Sequence, residues 1–419
     1  MEAQGEPRSI SVTISRADVS VPARVANSSS VPGGRLYVTA SASMASPSQN
    51  QSLEYKTARI IEKSREQGWS ELKDGCHDKF AVGSSHDQDT QVIWSELKRW
   101  YPRTFQDMGE RVELGQLIAE GGQAHIYEAK LQGVIHEWEK QYNYKKCVAK
   151  VYKMQGFSLA DLQRQWPLRT KDIALGRGIA SGEIIFNESL GNCNGVHFGT
   201  FLKDGRFAFL MVRRWGDLRT LIDLSLSHNN SQRPPFSHSQ VVKIMRDIAW
   251  GMRELHSRGV LHRDLKSANI LVRVSTNPQG DGLKCYVADF ESSMLVQGTG
   301  FWRAPEVLAE LQKHPSDRNV DIWTEKVDIY SYAMIFYEVL TGHVPFFGYG
   351  KHDWKRVIDG ERPHLPQYVD LKFKDIVQRC WHKDPSHRPS FEDIESELGE
   401  IMRKQRLQVQ AGLRSLKHS

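Results

Sequence analysis

The chain has 419 residues, 39% of them hydrophobic and 25% charged, with a formal net charge of +6. It is too long for one small core and too apolar for a wholly disordered chain. The charge is modest and its signs are mixed, so composition gives no ground for a nucleic-acid partner. Five cysteines (Cys76, Cys147, Cys193, Cys285 and Cys380) are scattered with no Cys-x-x-Cys pair, the pattern of reduced thiols rather than of a redox or zinc motif. The opening residues lack a basic region followed by an apolar run, so no secretory signal is expected. The longest apolar stretch, around Tyr332 to Leu340, falls far short of the ~20 residues that span a bilayer. A soluble protein of the cytoplasm, or of cytoplasm and nucleus, is the expectation.

Residues 1–50 are rich in Ser, Ala, Val, Pro and Gly and poor in large apolar side chains, which predicts a disordered tail. Residues 51–111 form a partly helical extension. Apolar residues recur at helical spacing over Leu53 to Trp69 and again over Thr90 to Trp100, where Ile93, Trp94, Leu97 and Trp100 share one face. That face is expected to dock on the neighbouring folded unit. Beyond Val112 the texture changes to short β-branched runs. Leu114–Ile118, His125–Leu131, Cys147–Tyr152 and Phe207–Val212 read as strands of a small twisted sheet. Helical periods follow. Ser237 with Gln240 makes a capping box ahead of Val241, Ile244, Met245, Ile248, Met252 and Leu255. A second helix is predicted over Val327 to Leu340, stopped by Gly342. The basic segment 403–419 is expected to be a solvated tail or a frayed helix extension.

Moving a γ-phosphoryl group requires a carboxylate to orient the attacking hydroxyl, ligands for a divalent cation, and positive charge for the phosphates. The stretch His262 to Asn269 offers several of these at once, with Asp264 and Asn269 five residues apart. Twenty residues beyond Asn269, Asp289-Phe290 follows the strand-like run Leu283 to Ala288, which puts another carboxylate at a strand end. The motifs continue in order: Ala119 to Ile126, Cys147-Val148-Ala149-Lys150, Ala304-Pro305-Glu306, Asp328 to Ala333 and Arg388-Pro389. On these residues, the segment 112–402 resembles the eukaryotic protein kinase domain, most closely the tyrosine-kinase-like group that includes the plant Raf-like kinases.

The resemblance implies an α+β, bilobal protein kinase fold: a small, mostly β N-lobe (112–212), a hinge near 213–216 and a larger, mostly α C-lobe (217–402). It also assigns roles. Lys150 would contact the α- and β-phosphates of ATP and pair with Glu183. Asp264 would orient the acceptor hydroxyl, and Lys266 would meet the γ-phosphate. Asn269 and Asp289 would bind Mg²⁺, with Mn²⁺ as an alternative. The loop Ala119, Glu120, Gly121, Gly122, Gln123 and Ala124 would cover the phosphates. Ile118, Ile126, Val148 and Leu271 would sandwich the adenine ring, with Met211 as gatekeeper and Arg213 at the hinge. Glu306 with Arg388, and Asp328, would brace the C-lobe and the catalytic loop. Cys380, His382 and His387 match no zinc spacing and fall within the C-terminal kinase subdomain.

Lys266 within Asp-Leu-Lys-Ser-Ala-Asn, together with Gly298-Thr299, follows the serine/threonine pattern, leaving dual specificity open. Protein substrates and upstream signalling proteins are the implied partners, and intracellular signalling the implied setting. Three departures stand out. Two glycines of the phosphate loop are replaced by Ala119 and Ala124. Glu291 stands where the family usually has the glycine of Asp-Phe-Gly, stiffening the hinge and adding a carboxylate near the metal, with a shift towards Mn²⁺ as its expected effect. Only fourteen residues separate Phe290 from Pro305, with Ser292, Ser293 and Thr299 as hydroxyls open to phosphorylation and Arg263 as their receiver. The rival reading is a pseudokinase acting as a nucleotide-binding or scaffold module.

Overall fold

The computed structural model describes residues 86–102, 104–132, 147–153, 157–165, 192–228, 234–274, 282–291 and 297–415. The expectations for the 1–50 tail, for Leu53 to Trp69, and for Glu183, Ser292 and Ser293 lie outside the described residues.

The first described element, α1 (His86–Trp100), begins one turn earlier than the periodicity from Thr90 suggests. Its apolar stripe decides where it goes: Leu97 is fully buried, Trp94 nearly so, and Ile93 and Trp100 are half-buried. The Trp94 ring packs edge-on against Phe201 at 5.1 Å and Phe105 at 5.9 Å, and its indole N–H donates to Asp107 at 2.8 Å. The following segment then runs along a sheet edge. The Gly199 amide donates to the Thr104 carbonyl, and the Gln106 amide donates back to Gly199. This approach is close enough to require glycine at 109, where a Cβ would sit 1.7 Å from the Phe201 carbonyl oxygen. The extension is therefore part of the N-lobe core and covers its otherwise open edge.

That sheet is antiparallel, with β1 (Val112–Glu120), β2 (Ala124–Leu131), β3 (Cys147–Tyr152), β4 (Val196–Phe201) and β5 (Phe207–Val212) in the order β1-β2-β3-β5-β4. Four of the five coincide with the expected runs. The fourth, Val-His-Phe-Gly-Thr-Phe, is interrupted by Gly199, which hides the strand pattern. Packing explains the glycine, since a Cβ there would meet the rings of Phe207 and Phe209 at 2.8 Å. Between β3 and β4 lies α2 (Leu159–Gln165), whose Gln163 amide donates to Glu96 on α1 at 3.1 Å.

The C-lobe opens with β6 (Gly216–Asp217), α3 (Leu218–His228) and α4 (His238–His256). The expected capping box is present: the Ser237 hydroxyl accepts from the Gln240 amide, and the Gln240 side chain accepts from the Ser237 amide. A small sheet follows, β6-β7-β8, with β7 (Ile270–Val274) and β8 (Leu283–Val287). Then come α5 (Pro305–Leu311), α6 (Glu325–Thr341), α7 (Trp354–Asp359), α8 (Leu371–Cys380) and α9 (Phe391–Ser415). Helix α6 is buried on almost every side, as its largely apolar sequence with only a few polar residues inside requires, and Gly342 ends it at φ +79°.

Helix α9 continues through Arg403 to Ser415, the helix extension that was one of the two expectations for the basic segment. Residues 403–411 contain neither glycine nor proline and are mostly good helix formers, so nothing in the basic segment stops the helix. Among the described residues, no helix is long and apolar enough to cross a membrane.

Candidate active site

The chain between α4 and β7 is held from beneath by one carboxylate. Asp328, in the first turn of α6, is fully buried and accepts from the backbone amides of His262 at 2.8 Å and Arg263 at 2.9 Å. His256 on α4 adds a third contact at 2.9 Å. Burial alone would raise the Asp328 pKa, but the bond from His256 and the fields of His256 and His262 hold it below the usual carboxylate range. These contacts keep Arg263 at φ +63°, a conformation uncommon outside glycine. The Arg263 guanidinium lies 5.0 Å over the Trp323 ring.

That pinned turn presents Asp264. Its Oδ2 accepts from Lys266 at 2.7 Å, and its Oδ1 accepts from the Thr299 hydroxyl at 2.6 Å. Lys266 also donates to Thr299 at 2.7 Å, so carboxylate, ammonium and hydroxyl form a closed triangle. The Asn269 amide donates to the Asp264 carbonyl at 2.8 Å and fixes the far end of the loop.

The strand end is tied to the same loop. The Ala288 amide donates to the Asn269 carbonyl at 3.0 Å, while the His262 ring bonds the Ala288 carbonyl at 2.9 Å. Asp289 follows at φ +70°, a left-handed conformation that aspartate tolerates, and Phe290 is fully buried behind it. The Ala288–Asn269 bond thereby ties the strand end that carries Asp289 to the loop that carries Asn269. Among the described residues, no group of three or more His, Cys, Asp or Glu could hold a metal by itself.

Lys150 reaches this point from β3. It pairs with Asp289 and, at 2.6 Å, with Glu291 Oε1. Burial would lower the lysine pKa, but the two carboxylates raise it well above its ordinary value, and Lys150 in turn holds Asp289 low. The two carboxylates differ in setting. The Asp289 side chain is 42% exposed to the cleft, whereas that of Glu291 is 0% exposed.

Above the cleft, Ile118, Ile126, Val148 and Leu271 are half-buried, apolar surfaces left partly open between the lobes. Met211 is buried and stands opposite Val148 in the β3–β5 ladder. Arg213 is engaged by Glu128 on β2. In the phosphate loop the Gly121 amide donates to the Ala124 carbonyl at 2.8 Å, and none of residues 119–124 takes a positive φ. Ala119 and Glu120 remain in register with Ile126 and His125. The two alanines are thus in extended backbone, where a Cβ costs nothing.

Other anchors escaped sequence reasoning. Glu338 on α6 is fully buried and accepts from Arg219 at 2.8 Å, Ser267 at 2.7 Å and Trp302 at 2.8 Å, joining α3, the 262–269 loop and the 300–302 turn. Burial raises its pKa against the pull of Arg219. No periodic signal marks a carboxylate inside an apolar helix. The Glu306–Arg388 pair, by contrast, was expected from the resemblance, and Arg388 donates to both oxygens of Glu306, at 2.7 and 2.8 Å.

Fold and site together define a protein kinase domain with a β-sheet N-lobe and a helical C-lobe. Residues 209–398 match the family model for protein tyrosine and serine/threonine kinases. The chain is 37% identical over 198 residues to a light-sensor protein kinase of Ceratodon purpureus, covering 42% of this chain and 15% of that protein. It is 38% identical over 161 residues to a probable serine/threonine-protein kinase of Dictyostelium discoideum, covering 38% and 11%. With the serine/threonine/tyrosine-protein kinase HT1 of Arabidopsis thaliana it shares 34% identity over 177 residues, covering 39% and 41%. The chain thus spans well under half the length of each of these relatives, in keeping with a shared tyrosine-kinase-like catalytic domain.

Proposed function

We propose that this chain is an ATP-dependent protein kinase that transfers the γ-phosphate to serine or threonine hydroxyls of protein substrates. The observation that carries the reading is the Asp264 carboxylate, fixed by Lys266 and Thr299 in the loop whose Asn269 is tied to the strand end before Asp289. In this role Asp264 accepts a hydrogen bond from the acceptor hydroxyl and aims its lone pair at phosphorus. Lys266 stands ready to follow the transferring phosphoryl oxygens, and Lys150 meets the α- and β-phosphates.

The donor set fits a divalent cation held jointly with nucleotide. Asn269 and Asp289 offer only oxygen ligands, and one or two such side chains plus phosphate oxygens suffice for Mg²⁺. When bound, the cation neutralises charge on the β- and γ-phosphate oxygens. The half-buried Ile118, Ile126, Val148 and Leu271 would take the adenine ring, and the backbone of 119–124 the phosphates. Residues Ser292 and Ser293 stay candidates for modification. The Thr299 hydroxyl is already committed to Asp264 and Lys266, so its better role is to hold that directly bonded pair in a fixed geometry.

Purified protein with labelled ATP and casein should yield phosphoserine and phosphothreonine in Mg²⁺. Nucleotide binding without transfer, in Mg²⁺ and in Mn²⁺, would instead identify a scaffold that has lost its chemistry. A finer result is expected for Thr299→Val, which keeps the shape and removes the hydroxyl. Losing one hydrogen bond to a charged group should lower kcat about tenfold with little change in KM for ATP. Steady-state kinetics check it, and a kcat equal to wild type would remove Thr299 from the site.

A further inference from the structure

The carboxylate at 291 is a departure that the proposed chemistry does not use. A side chain introduced next to a metal site could face the cleft, where it would compete for cations or repel phosphate. Glu291 does neither. Its side chain is 0% exposed, its Oε1 lies 2.6 Å from Lys150 Nζ, and its Oε2 is buried with no hydrogen-bond partner among the described residues. An unpaired carboxylate oxygen in the interior is costly, and the strongest compensation available is the ammonium beside it.

Among the described residues Lys150 has two carboxylate partners, and they are not equivalent. The Asp289 side chain is 42% exposed and directly follows Ala288, whose amide donates to the Asn269 carbonyl, so Asp289 is the one a nucleotide-bound cation can recruit. Once its charge is committed there, a lysine 9% exposed would lose its nearest compensation. Glu291 is 0% exposed, so its carboxylate is held in the interior. Only Phe290 separates the two carboxylates in sequence, and the left-handed turn at Asp289 accompanies one exposed and one buried partner for the same nitrogen.

We propose that Glu291 is the positioning residue of Lys150, the fixed counter-charge that keeps the ammonium aimed at the nucleotide phosphates while Asp289 serves the cation. The inference rests on the kinase reading above and deepens it: the lysine's counter-charge comes from the segment after β8. It assigns to Glu291 the pairing that sequence resemblance gives to Glu183. The substitution of the hinge glycine is then a gain of an electrostatic support, and the metal ligands are unchanged by it.

The test reads ATP affinity and turnover in the full chain. Glu291→Gln keeps the volume and removes the charge, and should weaken ATP binding about tenfold, the worth of one charge-assisted bond. Glu291→Asp retains the charge and should recover most of that loss. In a Lys150→Met background, Glu291→Gln should cause no further loss of ATP affinity, because the group it positions is gone. Thermal midpoints without nucleotide report folding, and should Glu291→Gln not fold, Glu291→Asp and Glu291→Gly carry the comparison with Lys150→Met. Unchanged ATP affinity in Glu291→Gln, or an equal loss in the Lys150→Met background, overturns the inference. So does a large loss in Glu183→Gln with none in Glu291→Gln. Wild-type protein that binds ATP and transfers phosphate while Glu291→Gln matches it overturns this inference alone; wild-type protein that binds no ATP overturns the kinase reading and this inference with it.

Discussion

Replacing Asp264 with asparagine should lower phosphotransfer about a thousandfold while leaving ATP affinity within about twofold of wild type. The substitution preserves shape but removes charge and one acceptor. At present Oδ1 accepts from Thr299 and Oδ2 from Lys266, so both oxygens face donors. An asparagine can satisfy only one of them, and its amide must turn a donor towards the other. The acceptor hydroxyl then meets a side chain that neither draws off its proton nor fixes its direction. In the proposed reading the nucleotide is held elsewhere, by Lys150, Asp289 and the 119–124 loop, so binding should be spared. Single-turnover transfer and nucleotide titration, run on the same preparation, separate the two effects. Equal transfer rates for variant and wild type would remove Asp264 from the chemistry.

Much of this arrangement was legible before any coordinates, for identifiable reasons. Strands β1, β2, β3 and β5 announce themselves because β-branched runs alternate with turns, and α4 because its capping box precedes a clean helical period. Strand β4 was hidden by Gly199, a residue chosen for ring packing against Phe207 and Phe209 rather than for strand propensity. Basic composition left a solvated tail and a helix extension both open for 403–419, and α9 runs on through Ser415 because residues 403–411 carry no stop signal.

The site divides the same way. Short-range spacing brings Asp264 and Asn269 into one loop, and motif order places Asp289 and Lys150 near them. Pairings that depend on topology are invisible to spacing. Lys150 and Glu291 are 141 positions apart, and Thr299 and Asp264 35 apart, so neither contact has a local signature. The phosphate-loop alanines show the converse. Sequence pattern reads them as a defect, but the backbone from 119 to 124 keeps negative φ and does not need glycine at those positions. Glu291 combines both lessons, since a residue that looks like a lost hinge glycine is, in three dimensions, a buried partner for the one lysine that most needs a charge.

The largest expected loss of stability belongs to Glu306→Ala. Arg388 is fully buried, and Glu306 takes both of its terminal nitrogens in a bidentate pair at 2.7 and 2.8 Å. The remaining partners are neutral carbonyls of Lys326, His382 and Lys383, with the Tyr330 ring 5.3 Å from the guanidinium. Arginine cannot shed its proton to escape, so removing the carboxylate strands a full positive charge in the interior. The cost should be about 3 kcal/mol, near the lower end for a broken buried pair. Urea unfolding followed by tryptophan fluorescence checks it as a lowered midpoint. The double variant Glu306→Leu with Arg388→Met should recover much of the loss, because two apolar side chains need no solvation to be buried well. If the single variant costs no more than an exposed ion pair, under about 1 kcal/mol, the charge is reaching water and the pair is not a brace. Turnover should fall with stability in Glu306→Ala, since Glu306 begins α5 only seven residues after Thr299, the hydroxyl that holds Asp264 and Lys266 in place.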